Sequence, residues 1–125
     1  MKKLILPSLA LIALGITACT PRADGGEAGG AAKVAFASSA GPIITKNCVS
    51  CHSGDRPKEG LDLSSLENLN KGARGNPVIV AGKSADSTLY KAITGNGAKL
   101  MPPDAKMSDA DIEQIKKWID AGATE

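Results

Sequence analysis

Apolar side chains are spread unevenly along this sequence, and their spacing divides it into three parts. Residues 4–16 form an almost unbroken apolar run behind Lys2 and Lys3. Residues 20–40 are rich in Gly, Ala and Ser and show no sustained hydrophobic period, the composition of a flexible linker. From residue 41 onward, apolar positions return in short groups. Ile112, Ile115 and Ile119 follow one another at helical spacing, flanked by Trp118, after Ser108 with Asp109 and Asp111 in the position of an N-cap and an acidic first turn. This pattern predicts a helix over residues 109–121, ended by Gly122.

Three further elements follow from the same rules. Ser39 to Pro42 makes a helix start, and Ile43 and Ile44 give an apolar side, so a helix is expected over residues 42–50 and should pack on the C-terminal one. Ser84 reads as the cap of a helix over residues 85–94 that turns Leu89 and Ile93 inward, with Tyr90 near a ligand pocket. Gly60-Leu61-Asp62-Leu63-Ser64 opens a short turn or helix, and Val78-Ile79-Val80, in a Gly- and Pro-rich stretch, reads as an extended wall. The fold class is therefore all-α, and no internal repeat is evident.

Length and charge narrow the picture. The basic start and apolar run have the form of a secretory signal, and the run is shorter than the roughly 20 residues of a spanning helix. Ile16-Thr17-Ala18-Cys19 resembles the lipobox of bacterial lipoproteins, ordinary cleavage after Ala18 being the alternative. The expected organisation is a signal peptide at 1–18, a lipidated Cys19 and linker at 19–40, and one domain at 41–125, exported to the periplasmic side of a bacterial membrane and anchored there through Cys19. With Lys2 and Lys3 set aside, basic and acidic residues balance at 13 each, which excludes the clustered basic excess of a nucleic-acid binder. Phe36, Tyr90 and Trp118 are the only aromatics, and Phe36 falls in the linker, so a domain this small has little bulk with which to fill its interior.

Cys48-Val49-Ser50-Cys51-His52 is the C-x-x-C-H pattern of c-type haem attachment. Two thiols three residues apart on one helical turn project the same way and reach the two vinyl groups on one haem edge, while the adjacent imidazole turns under the ring towards iron. A closed zinc site wants four ligands and finds three in the domain, Cys48, Cys51 and His52. A thioredoxin-like motif would sit beside a strand–helix–strand pattern, of which there is no sign. A plain Cys48–Cys51 disulfide is open to an exported protein but leaves His52 unexplained. A single motif means one haem c per chain.

His52 is the only histidine, so a bis-histidine haem within one chain is impossible. The usual second axial ligand is then a Met thioether. Met101 lies in Lys99-Leu100-Met101-Pro102-Pro103, where two prolines restrict a hydrogen-bond-poor loop, whereas Met107 adjoins the Ser108 cap and belongs to that helix. Met101 is the assigned iron ligand; Lys99 or an open position is the alternative.

With these residues in place, the sequence resembles the cytochrome c superfamily, and more narrowly the planctomycete-type cytochrome c domain, over about residues 41–125. The resemblance rests on Pro42-Ile43-Ile44 before the C-x-x-C-H motif, Gly60-Leu61-Asp62-Leu63, Gly82 with Ser84 and Leu89, Met101-Pro102-Pro103, and Trp118-Ile119 with Gly122-Ala123. It implies a few helices around one haem with His and Met axial ligands, and a role in electron transfer. The expected protein is a one-electron carrier, alone or as a subunit of a larger oxidoreductase, with redox proteins as donor and acceptor and no small-molecule substrate. The rival is a haem enzyme or gas-binding sensor with an open or displaceable sixth position. Lys99 and Lys106 flank the Met loop and offer positive charge to an acidic partner.

Overall fold

A computed structural model describes residues 34–125; the expected signal peptide, the lipidation expected at Cys19 and the expected linker as far as residue 33 lie outside the described residues. Four α-helices carry the fold: α1 (Ala40–Asn47), α2 (Leu66–Lys71), α3 (Thr88–Thr94) and α4 (Asp109–Asp120). Three single 3-10 turns, Phe36–Ser38, Lys58–Gly60 and Ser84–Asp86, punctuate the connections. Among the described residues there is no strand, only an isolated bridge between Ala73 and Asn76.

Helix α4 forms where its periodicity places it. Ser108 Oγ accepts the Asp111 amide at 3.1 Å, Asp109 and Asp111 sit at the positive end of the helix dipole, and Lys117 lies in the last turn. Ile115, Trp118 and Ile119 are fully buried. At the C-terminal end, Ala123 N–H bonds to Trp118 O and Gly122 N–H to Ile119 O, both at 3.0 Å, the paired bonds of a Schellman cap. Ile44 and Ala40 of α1 pack against this face, also without exposure.

Helix α1 begins two residues earlier and ends three earlier than its sequence suggests. Pro42 falls within the first turn, where its missing N–H is one the helix would leave unpaired anyway. Its early start depends on the preceding segment, which composition assigned to the linker. Phe36 instead packs on Trp118, ring centroids 5.2 Å apart and tilted by 52°. One carbonyl, that of Thr124, accepts both Phe36 N–H at 3.1 Å and Trp118 Nε1–H at 2.9 Å. The segment folds this closely because residue 41 is glycine: a Cβ there would stand 2.8 Å from Phe36 O.

The helix expected over residues 85–94 is broken in two. Ser84 belongs to the 3-10 turn, and α3 starts only at Thr88, after Ser87 in extended conformation. The fully buried Ser87 hydroxyl explains the break. It donates to Lys83 O and accepts from Val80 N–H, each at 2.9 Å, tying the chain before it to the start of α3. Asp120 of α4 clamps the same region: its carboxylate accepts Ser84 N–H at 2.9 Å and Lys116 Nζ at 2.7 Å. The Lys116 hydrogen bond, helped by the Ser84 amide, holds the Asp120 carboxyl below the usual carboxylate range.

Two outcomes are expected of these contacts. Phe36→Ala should lower the unfolding free energy by about 2 kcal/mol, less than a fully buried Phe would cost because Phe36 is only partly covered; denaturant unfolding measures it, and an unchanged midpoint would mean the segment is linker after all. Asp120→Ala should cost about 1 kcal/mol at pH 7, a net hydrogen bond with little added by the exposed ion pair. Because the folded-state pKa is depressed, that contribution is present above the unfolded carboxylate value and fades as pH falls through the folded one, so variant and wild type should converge in acid.

Candidate haem site

Beyond α1 the chain turns once more, in the manner of a helix: Cys48 O accepts the amides of Cys51 at 3.1 Å and His52 at 3.0 Å. The C-x-x-C-H motif therefore lies just past α1, with Cys48 as its C-cap, rather than within it. The turn opens onto a cleft of about 430 Å³, within the range of small-ligand sites. Its other walls are loop 58–63, Ala73, Val78, the face of α3 bearing Leu89, Ala92 and Ile93, and the loop from Lys99 to Pro103.

Cys48, Cys51, His52 and Met101 all border this one cleft. Cys51 is exposed, while Cys48 is largely withdrawn from solvent and burial pushes its thiol up to about 11. The two thiols are not bonded to each other. His52 Nδ1 lies 3.1 Å from Lys58 O. A carbonyl can only accept, so Nδ1 is the donor, and in the neutral ring Nε2 has the lone pair a metal would take. The ring's backbone is held as well, by Leu63 N–H on His52 O at 2.7 Å.

Met101 reaches the cleft because its amide donates to Ala92 O at 2.9 Å, which pins the Lys99–Pro103 loop to α3. Met107 is 5% exposed in the helical core and borders no part of the cleft. Lys99 does border it; Lys106 does not, and pairs with Asp109 at 3.7 Å. Tyr90 corrects an expectation: it is not in the wall. On α3 it sits one position past Leu89, about 100° round the helix, and lies near Lys116 of α4.

Residues 48–105 match the family described as Planctomycete cytochrome C. The chain carries a planctomycete-type cytochrome c domain. No curated protein and no solved structure matches it. The matched range runs from the motif turn through the Met loop; α1 and α4 fall outside it. Membership implies covalently bound haem c.

The cleft has the donors and walls such a group needs. Two unbonded thiols stand at one edge, an imidazole is fixed as the Nδ1–H tautomer, and a thioether and apolar side chains form the remainder. Among the described residues no group of three or more His, Cys, Asp and Glu side chains is placed to hold a bare metal ion. Sequence reasoning overlooked Lys58, whose contribution is its carbonyl and leaves no trace in residue type. In the haem-free chain, under conditions where circular dichroism shows the helices formed, iodoacetamide at pH 8 should label Cys51 well ahead of Cys48, as read by peptide mass mapping; equal rates in that folded chain would contradict the burial of Cys48.

Proposed function

We propose that the protein is a one-electron carrier with a single haem c, attached through Cys48 and Cys51 and ligated by His52 and Met101. The observation that carries this reading is that four residues far apart in chemistry, two thiols, one imidazole and one thioether, border the same apolar cleft while the other candidate, Met107, fills the core. Bound haem supplies the redox chemistry, its iron alternating between ferric and ferrous. The chain does the rest. Cys48 and Cys51 would hold the group covalently, the Lys58 carbonyl orients His52 and raises its basicity, and the Ala92 contact brings Met101 to the same cleft. Leu61, Leu63, Val78 and Ile93 keep water from the centre.

With His52 and Met101 both serving as ligands, such a site would exchange electrons without binding substrate, and no second histidine is present for acid–base work. We place the domain outside the cytoplasm, tethered through lipid on Cys19 at the periplasmic side of a membrane, with redox proteins docking where the cleft opens. Lys99 at that opening is better placed than the paired Lys106 to attract an acidic surface.

Met101→Ala should abolish the sulfur-to-iron charge-transfer band of the ferric protein and let the ferrous form bind carbon monoxide quickly. Met107→Ala should keep the band and lose about 2–4 kcal/mol of stability, as a core truncation. Rapid carbon monoxide uptake by the unmutated ferrous protein at neutral pH, or loss of the band only on mutating Met107, would overturn the ligand assignment.

A further inference from the structure

The Lys58 carbonyl that receives His52 Nδ1–H also accepts Leu61 N–H at 3.1 Å, so its direction is set within a single tight turn. That direction depends on the peptide plane joining residues 58 and 59, and hence on the φ of Glu59. Glu59 is left-handed, with φ 57° and ψ 15°, a conformation a side-chain-bearing residue keeps only when its surroundings hold it.

What holds it comes from another part of the chain. Arg74 Nη2 meets Glu59 Oε2 at 3.4 Å, and Arg74 N–H donates to Gly60 O at 3.3 Å. The Arg74 side chain also lies directly over Gly60, where a Cβ would come 2.8 Å from its Cγ. Arg74 is itself left-handed, with φ 52°, at the tip of the turn closed by the Ala73–Asn76 bridge. Two backbone positions of unfavourable conformation thus face each other and are joined by side chain and main chain together.

We propose that Glu59 and Arg74 are positioning residues for His52: their latch holds the 58–60 turn so that the Lys58 carbonyl stays aimed at Nδ1. Releasing it lets Glu59 relax towards the right-handed region and swings the carbonyl away. The imidazole, deprived of a strong acceptor, becomes a weaker donor to ferric iron. This rests on the reading of His52 as the iron ligand.

The test uses the full haem-loaded chain and the variants Glu59→Ala, Arg74→Met and Arg74→Lys, with Glu67→Ala, which breaks the exposed Lys71–Glu67 pair of α2, as the control. Both Glu59→Ala and Arg74→Met should move the reduction potential in the same, positive direction, and the His52 Nδ1 proton of the reduced protein should exchange with solvent faster by NMR. Arg74→Lys should lie near wild type, and the control should change neither quantity. A through-space charge effect behaves differently: loss of the anion raises the potential and loss of the cation lowers it. Opposite shifts, or unaltered exchange in both variants, would overturn the latch. A chain without covalent haem overturns both readings, whereas intact haem c with His52 ligation and no such response overturns the latch alone.

Discussion

Trp118 is the fixed point of the molecule. Its indole is fully buried, Phe36 stacks on it obliquely, α1 lies against its helix, and its N–H is satisfied by the same Thr124 carbonyl that holds the Phe36 backbone. In a chain with three aromatics, two of them meet at this spot. The contact decides where α1 begins and how it lies on α4, and α1 in turn carries the Cys48 turn to the mouth of the cleft at its far end. The position of the motif is set by packing at the opposite end of the helix.

The rest of the interior borders the cleft. Leu63, Val78, Leu89 and Ile93 are buried towards a cleft whose volume is comparable with a small-ligand site. Short helices of six to eight residues, as α1, α2 and α3 are, gain little from their own hydrogen bonds and depend on what they pack against. A flat apolar group in the cleft would give α3 and the Met loop a common surface. It would couple folding to cofactor, as small metal-dependent domains do.

Much of this was legible from residue order. The C-x-x-C-H spacing specified two thiols and an imidazole on one turn, the lone histidine turned attention to methionine, and the prolines after Met101 separated it from Met107, which adjoins a helix cap. The Ser108 cap and the Ile115–Trp118–Ile119 face marked α4 almost to the residue. What escaped has physical causes. Phe36 sits in a stretch whose Gly, Ala and Ser content hides a single tertiary contact. Ser87 breaks a helix through hydrogen bonds to residues 80 and 83, which local propensity does not contain. The Lys58 carbonyl acts through the main chain, and the facing left-handed Glu59 and Arg74 are conformations that residue type argues against.

Everything proposed for the cleft depends on one covalent haem at Cys48 and Cys51. The most direct measurement is a pyridine haemochrome spectrum of the protein, matured in a host that attaches c-type haem, after denaturation and acid–acetone extraction, with the intact mass of the chain. A c-type spectrum should stay with the polypeptide, the mass should rise by one haem, and both should be lost in the Cys48→Ala, Cys51→Ala double variant. Haem that extracts into the solvent, or a chain that carries none, would contradict that attachment and leave a cleft beside a pair of thiols with no electron to carry.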